Sequence, residues 1–432
     1  MKFTCACWFA MVLGAAAAQA QEPGNHAGEL KYVVIMTRHG VRPPLWTPER
    51  LNQYSSDPWP KWDVPAGHLT SHGAALIKLF GAYDRAHFAH DGLFSATGCA
   101  EAGHIYIYAD SDQRTIATGQ ALAAGMWPGC DVPVHSLPQG TPDPLFNPVN
   151  AKAVQVDGAL STAAIAGRIG AHPEALLEAH RPALDTMEYV LLGCKPGTKC
   201  AAPGKQWLPE LPSAIEPGRG DRPAEVTGPV NIAATLAENF LLEYTNGNEG
   251  KDLGWGRLTE TNLREMMALH TEYAKLLRRT PFVGQVMASN LLSHMLRSME
   301  QAVTGKPVPG ALGKPGDRML IVSGHDGNIS NLSGMLDVSW VIPGYQPDDT
   351  PPGGALVFEL WRQGSEYTVR TYYTVQTLEQ MHRTLPLTLE APPATAPLFL
   401  LGCSTAAPGM PCEWKGFRRK VEAAIDPAYV KN

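Results

Sequence analysis

Apolar residues follow two patterns along this chain. Short runs rich in β-branched residues end abruptly in polar side chains, at residues 33–36, 105–110 and 318–324. Runs of that length bounded by turn-forming residues predict buried strands. Residues 355–361 and 367–375 instead alternate polar and apolar positions, and this period predicts an antiparallel hairpin that extends the same sheet.

Helical periodicity dominates much of the rest of the chain. The predicted helices cover residues 74–89, a segment that ends near Ala124, and residues 163–192, 230–244, 260–279 and 282–304. A Pro- and Gly-rich stretch at residues 196–229 interrupts them and predicts a long loop. We therefore predict an α/β domain formed by residues 21–148 and 285–432, with an inserted, mainly helical domain at residues 149–284.

Charge and hydropathy limit the cellular compartments and the classes of partner that we expect. The formal net charge of −6 is small and scattered, whereas nucleic-acid-binding proteins carry a basic stripe, so we expect no nucleic-acid partner. Residues 1–20 have a basic start, an apolar centre and a small-x-small end, which is the pattern of a secretory signal peptide. No later stretch reaches membrane-spanning length. We expect a periplasmic or secreted protein, and a monomer, although the sequence leaves the oligomeric state open.

The cysteine count agrees with an oxidising compartment. An even set remains after removal of the predicted signal peptide: Cys99, Cys130, Cys194, Cys200, Cys403 and Cys412. Six cysteines allow 15 pairings, of which the sequence-local one (99–130, 194–200 and 403–412) is the simplest. None of these cysteines has the Cys-x-x-Cys spacing typical of zinc sites.

The polar residues at the ends of the predicted strands carry the candidate chemistry. Arg38, His39 and Arg42 follow the first strand, and His325 and Asp326 follow the third. In open α/β sheets the ligand crevice lies beyond the carboxyl ends of the strands. Arginine binds planar oxyanions through paired hydrogen bonds, and histidine acts as a nucleophile or carries a proton. These residues therefore predict a site for an anionic ligand.

Arg114 follows the second predicted strand in the same way. It lies close in sequence to Asp110 and Asp112, either of which can pair with it at the start of a helix. The pattern alone leaves two interpretations open: Arg114 joins the anion site, or it is held by these carboxylates.

Two motifs carry a resemblance to a known family. The sequence Arg-His-Gly-x-Arg-x-Pro occupies residues 38–44, and His-Asp-Gly-Asn occupies residues 325–328. In this order they resemble the histidine acid phosphatases, in the branch of bacterial periplasmic phytases and glucose-1-phosphatases. The resemblance covers residues 33–412 and implies a phosphoglycerate-mutase-like three-layer α/β domain with a mixed sheet and an inserted helical domain. The sequence-local disulfide pairing also resembles the phytase pattern.

The resemblance implies a role for each motif residue. His39 would be the nucleophile that forms a phosphohistidine intermediate, and Asp326 would protonate the leaving alcohol. The residues implied to hold the phosphoryl oxygens are Arg38, Arg42, Arg114 and His325. Fixed cations stabilise the charge that a phosphoryl transition state spreads over three oxygens, so we expect neither metal nor cofactor. With a reference pKa of about 3.9, an aspartic acid donor predicts activity on the acid side of neutrality.

Substrate choice depends on four further positions. Phytases of this branch carry a lysine where this chain has Trp46, and Leu45 resembles the glucose-1-phosphatase pattern; Trp46 could instead pack inward with other tryptophans. Glu238 matches a family glutamate that faces the substrate pocket, with a solvated helix carboxylate as the alternative. Gly327 replaces the hydroxyl residue usual in the second motif. We expect a small phosphomonoester substrate, and the sequence leaves phytate and sugar phosphates open.

Two other classes of protein share parts of this pattern. A secreted binding protein for phosphorylated sugars would use the same arginines without turnover, but it would not need both His39 and Asp326. A mutase acts on intracellular substrates and uses a glutamate as its acid, which conflicts with the predicted signal peptide and with Asp326. We therefore favour a secreted phosphatase.

Overall fold

The large sheet is the centre of the molecule. The computed structural model describes residues 28–195, 198, 204–220 and 222–431, so the predicted signal peptide at residues 1–20 lies outside the described residues. Among the described residues, the strands form one eight-stranded sheet and one two-stranded hairpin. The strands are β1 (Glu29–Arg38), β2 (Ile105–Ala109), β3 (Val134–His135), β4 (Ala214–Pro217), β5 (Ala224–Thr227), β6 (Met319–Gly324), β7 (Ala355–Gln363), β8 (Glu366–Val375), β9 (Ala394–Pro397) and β10 (Cys412–Glu413).

β1 joins the parallel and antiparallel halves of the large sheet. β6 pairs parallel with β1, β2 pairs parallel with β6, and β3 pairs parallel with β2. On the other side of β1, β7 and β8 form the predicted hairpin, and β9 and β10 both pair antiparallel with β8. The three predicted core strands are confirmed as β1, β2 and β6, and they lie next to one another.

Helices cover both faces of this sheet. The helices are α1 (Pro48–Leu51), α2 (Ser71–His90), α3 (Gln113–Met126), α4 (Gly158–Ala166), α5 (Ala175–Ala179), α6 (Arg181–Leu192), α7 (Pro229–Thr245), α8 (Glu260–Leu277), α9 (Pro281–Thr304), α10 (Asp326–Leu336), α11 (Leu378–His382) and α12 (Trp414–Ala424). α2 and α3 pack on one face, and α9, α10 and α12 pack on the other. The fold is therefore the predicted three-layer α/β arrangement with a mixed sheet.

The sequence of β1 explains why both faces are covered. Val33 and Ile35 join the apolar core with α2 and α3, whereas Val34 and Met36 join the core with α9 and α10. Successive side chains of a strand point to opposite faces, so an uninterrupted apolar run can be buried only between two layers.

A second apolar core lies among α6, α7 and α8 and reaches the loop after β1. Trp59 of that loop stacks on Phe240 of α7, with 5.0 Å between ring centroids. Helices α4 to α8 all fall within residues 149–284, but the proposed boundaries of an inserted helical domain stay a prediction. None of the described helices is long and apolar enough to cross a membrane.

Two predictions about local structure are wrong. The expected helix at residues 163–192 is three helices, α4 to α6, because the chain turns at Gly167 and at Gly170, which has a left-handed φ of 64°, just before Pro173. The expected long loop at residues 196–229 contains the hairpin of β4 and β5. Residues 196, 197, 199–203 and 221 of that stretch lie outside the described residues.

The disulfides agree with the sequence-local pairing where they can be seen. Cys99 pairs with Cys130, and Cys403 pairs with Cys412. Cys194 is also disulfide-bonded. Its predicted partner, Cys200, lies outside the described residues.

Candidate active site

The carboxyl ends of three parallel strands bring the motif residues together. Arg38 at the end of β1 is in register with Gly324 at the end of β6, and the His39 N–H donates to the Gly324 carbonyl at 2.9 Å. Asp110, just after β2, donates its N–H to the Ser323 carbonyl at 3.0 Å. The rings of His39 and His325 consequently lie edge to face, with centroids 5.5 Å apart.

His39 is held as a neutral imidazole with a free Nε2. The His39 Nδ1 lies 2.8 Å from the Gly40 carbonyl, which can only accept a hydrogen bond, so Nδ1 carries the proton. The ring is almost fully buried. Burial, reinforced by the charges of Arg114, Arg38 and Arg42, lowers the pKa of His39 well below its usual range.

Gly40 allows the backbone to pass close to α2. A Cβ at Gly40 would lie 2.8 Å from Leu69 Cδ1 and 2.9 Å from Ile77 Cγ1. The Gly40 N–H donates to Thr118 Oγ1 of α3 at 3.0 Å. Contacts with α2 and α3, the two helices of one layer, thus hold the backbone next to His39 in place.

Arg38 and Arg42 share one carboxylate, that of Glu238 on α7. Arg38 Nη2 donates to Glu238 Oε1, and Arg42 Nη2 donates to the same oxygen at 3.3 Å. Arg38 Nη1 also donates to the Thr350 carbonyl at 2.6 Å. Burial alone would raise the pKa of Glu238, but Arg42 and Arg38 lower it, so this glutamate is ionised. Glu238 therefore contacts both arginines of the first motif, and its place in a substrate pocket stays a prediction.

Arg114 and His325 form a second ion-paired group. Arg114 Nη2 lies 2.6 Å from Asp112 Oδ2 and 3.5 Å from His325 Nδ1. His325 Nε2 lies 2.6 Å from Asp110 Oδ2, and this oxygen also accepts from Asn147 Nδ2 at 2.8 Å. Arg114 is therefore held by a carboxylate beside His325, and its part in an anion site stays a prediction.

Asp326 starts α10 and has a cationic partner that the sequence did not reveal. Arg278 Nη1 donates to Asp326 Oδ2, and His270 Nε2 lies 4.0 Å from the same oxygen. Burial alone would raise the pKa of Asp326, but Arg278, Arg38 and His270 hold it well below its usual range. In the free protein this carboxyl group is therefore ionised even in acid.

The sequence reasoning missed four residues of the site: Asp110, Asn147, His270 and Arg278. Asp110 had a usable signal, since it ends the second strand just as Arg38 ends the first. The other three lie in helices or loops and reach the site only through the tertiary fold. Two carboxylates, those of Asp110 and Asp112, both approach His325.

Leu45 and Trp46 directly follow the first motif. Leu45 is 56% exposed, and a Cβ at Gly67 would lie 2.8 Å from Leu45 Cδ2 and 3.4 Å from Arg114 Nη1, which places Leu45 beside the arginine group. Trp46 is partly buried, with the Arg50 guanidinium 3.6 Å from its ring centroid and Tyr54 at 6.1 Å. It therefore packs against its own loop and against the second apolar core.

Taken together, these contacts create a site suited to phosphoryl chemistry. An unprotonated imidazole nitrogen lies among three guanidinium groups, and the Asp326 carboxylate interacts with one of them, that of Arg38. The Nε atoms of Arg38, Arg42 and Arg114 are buried, and no described residue accepts a hydrogen bond from them. These donors are available to the oxygens of an anionic ligand.

Comparison with known proteins also indicates a phosphatase. The profile of the Histidine phosphatase superfamily (branch 2) matches residues 29–188 and 239–374. The chain is 37% identical over 415 residues to phytase AppA of Escherichia coli, with 93% of each chain covered. It is 30% identical over 406 residues to the glucose-1-phosphatase of Salmonella typhimurium, with 92% of this chain and 93% of that protein covered.

A solved structure extends the similarity to the fold. The phytase of Citrobacter braakii aligns with a TM-score of 0.84 and 35% identity, over 94% of this chain and 100% of that chain. The match spans both motifs, the mixed sheet and the helices above its carboxyl edge. The chain belongs to branch 2 of the histidine phosphatase superfamily, the histidine acid phosphatases that hydrolyse phosphomonoesters through a phosphohistidine.

Proposed function

We propose that His39 Nε2 attacks the phosphorus of a phosphomonoester held by Arg38, Arg42, Arg114 and His325. The N–P bond forms as the bond from phosphorus to the ester oxygen breaks, and that oxygen takes a proton from Asp326. Water then attacks phosphorus, the N–P bond breaks, and the proton of the water returns to Asp326. The observation that carries this proposal is the buried, unprotonated Nε2 of His39 among three guanidinium groups.

Asp326 needs a proton that it lacks in the free protein. We assign this proton to the substrate, because a phosphate monoester has a second pKa of about 6 and is a monoanion in acid. The bound phosphoryl group offsets the charge of Arg38, which lowers the pKa of Asp326 in the free protein, so binding favours protonation of the carboxyl group. Turnover should therefore fall as the pH rises above about 6 and the substrate becomes a dianion.

The substrate is a small phosphorylated polyol, and two candidates remain in view. Relatives named as phytases favour a phosphorylated inositol. The exposed Leu45 beside Arg114, and Trp46 where phytases carry a lysine, favour the second candidate, a sugar phosphate such as glucose-1-phosphate. An apolar rim suits the face of one sugar ring, whereas a polyphosphate needs cations there.

The same proposal places the protein in the periplasm or outside the cell. Residues 1–20 have the pattern of a signal peptide. The disulfides of Cys99 with Cys130 and of Cys403 with Cys412 suit an oxidising compartment. Detection of the mature chain in the periplasmic fraction of the source cells would test this assignment.

The covalent intermediate is the direct test. After a rapid denaturing quench at alkaline pH, where phosphohistidine survives, label from a phosphate-labelled substrate should be found on His39. His39→Ala should lose both label and activity, while His72→Ala, a histidine on α2 that contacts the Met381 carbonyl, should keep both. A fully active His39→Ala protein, or activity abolished by EDTA and restored by Mg²⁺, would refute the proposal.

A further inference from the structure

A cluster of metal-ligating side chains lies outside the active site, between the end of α2 and the middle of β7. His87 Nε2 lies 3.9 Å from Asp91 Oδ2 and 3.8 Å from Glu359 Oε1. The three candidate ligand atoms all lie within 4.8 Å of one another. Ligands placed about 2.0–2.2 Å from a tetrahedral zinc ion are about 3.3–3.6 Å apart, so the two distances from His87 need to shorten by only a few tenths of an ångström.

A further buried carboxylate, that of Asp84, interacts electrostatically with His87. It lies one helical turn before His87 on the same face of α2, and it is 94% buried, with a relative exposure of 6%. No described residue donates a hydrogen bond to its carboxylate, although its charge acts on both His87 and Tyr372 at this cluster. A buried carboxylate without a donor is costly, and a bound cation would remove that cost.

The cluster also has the supporting contacts typical of a metal site. The second oxygen of Glu359, Oε2, accepts from Trp361 Nε1 at 2.8 Å, which leaves Oε1 directed at His87. Tyr83 stacks on His87, with planes 6° apart and centroids at 5.6 Å, and this fixes the plane of the imidazole. The His87 side chain is 27% exposed, which gives an ion a route of entry.

We propose that His87, Asp91 and Glu359 bind one divalent cation of the zinc type. One imidazole nitrogen with carboxylate oxygens suits Zn²⁺, whereas Mg²⁺ and Ca²⁺ prefer oxygen ligands alone. Three protein ligands leave one position of a tetrahedral ion for water.

The role of this ion is structural. Ile77 of α2 lies against Gly40, next to the nucleophile, and His87 follows it by ten residues. At a rise of about 1.5 Å per residue, the cluster is about 15 Å from the active site along the helix. The ion would therefore join α2 to β7 without touching the substrate.

Thermal unfolding with and without zinc tests the proposal. The mature protein is freed of metal with EDTA and melted at pH 7 with ZnSO₄, with MgSO₄ or without addition. Zinc should raise the Tm by about 2–5 °C, while magnesium should not. Asp91→Asn, which keeps the shape of the side chain, and His87→Gln should lose the zinc response. His172→Gln should keep it, since His172 lies in an exposed pair with Glu174 only.

Zinc content after dialysis gives an independent readout. The wild-type protein and the His172→Gln variant should each retain one zinc ion per chain more than the His87→Gln variant. Equal zinc content and equal Tm response in wild type and His87→Gln would overturn the proposal. Turnover of p-nitrophenyl phosphate at 25 °C should not depend on zinc, and a loss that zinc restores would overturn the structural role.

Discussion

At the scale of single residues, each charged group of the site already has a partner of opposite charge. Arg38 and Arg42 pair with Glu238. Arg114 pairs with Asp112, and Asp326 pairs with Arg278. A buried charge without such a partner would be strongly destabilising. The phosphate of the substrate therefore exchanges these contacts for its own, and Glu238, beside the nucleophile's arginines, is the group that it must displace or repel.

The proposed acid role of Asp326 predicts a dependence on the leaving group. Asp326→Asn should slow sugar phosphates, whose alkoxide leaving groups need a proton, by about 10²–10⁴-fold. It should slow p-nitrophenyl phosphate far less, because p-nitrophenolate leaves without protonation. Single-turnover rates for the two substrates provide the measurement. Equal slowing of both would show that Asp326 only positions water or the substrate.

The tryptophan at position 46, where phytases of this branch carry a lysine, leads to a prediction about substrate preference. Trp46→Lys introduces a cation for the outer phosphates of phytate, and an exposed charge pair contributes about 0.2–1 kcal/mol. The ratio of kcat/KM for phytate to that for glucose-1-phosphate should therefore rise by about 1.4- to 5-fold. Because Trp46 packs on Arg50 and Tyr54, a melting curve must accompany the kinetics. An unchanged ratio in a stable variant would mean that Trp46 does not select the substrate.

At the scale of elements, glycines set how closely the two helices of one layer approach. A Cβ at Gly81 of α2 would lie 2.4 Å from the Leu122 carbonyl oxygen, and one at Gly125 of α3 would lie 2.1 Å from the Lys78 carbonyl oxygen. Both contacts are with backbone, which cannot rotate away. The absence of a side chain at these two positions therefore allows α2 and α3 to lie together beneath the nucleophile.

The helix contact leads to a stability prediction with a matched control. Helix propensity alone would make Gly125→Ala stabilising by up to about 1 kcal/mol. The backbone clash should reverse this sign and destabilise the protein by about 1–3 kcal/mol, as overpacking does. Gly103→Ala, where a Cβ meets nothing within 4 Å, should be close to neutral. Urea unfolding of both variants checks the prediction, which a stabilised Gly125→Ala protein would refute.

The strands and helices differ in how far the sequence could predict them. β1, β2 and β6 were predictable because each is an apolar run that ends in the polar residues of the site. The break at Gly170 had a local signal in Gly167, Gly170 and Pro173, but the helical period on either side of it hid that signal. The hairpin of β4 and β5 was not predictable, because the local pattern there is weak and tertiary contacts decide it. For the same reason His39 and Asp326 were identified from their motifs, whereas Arg278, which lies 48 positions from Asp326, was not.

At the scale of the whole molecule, buried carboxylic acids favour stability in acid. Glu243 is fully buried, and Glu188 and Asp349 are nearly so. Burial raises the pKa of Glu243 to about 8, of Glu188 to about 7 and of Asp349 to about 6. All three therefore hold a proton in the folded protein over a pH range in which the unfolded chain has lost it. Acid pH should therefore favour the stability of the folded protein as well as the proton transfer that we propose for turnover.

The last prediction concerns Glu243 and follows from the sign of this shift. Glu243 Oε2 accepts from the Gly254 N–H at 3.0 Å, and Oε1 is buried with no described partner. Because the pKa is higher in the folded state, stability is full below about pH 4.5 and falls as the pH rises toward 8, by an amount on the order of a few kcal/mol. Glu243→Gln keeps the acceptor for Gly254 but cannot ionise.

The variant should therefore melt at nearly the wild-type temperature at pH 4.5 and several degrees higher than wild type at pH 7.5. Glu366→Gln, at an exposed strand end, is the matched control and should follow the wild type at both pH values. A Glu243→Gln protein that gains nothing at pH 7.5 would mean that Glu243 is already ionised there in the folded protein. The pH dependence of stability would then have to come from other groups, such as the carboxylates that pair with arginines in the active site.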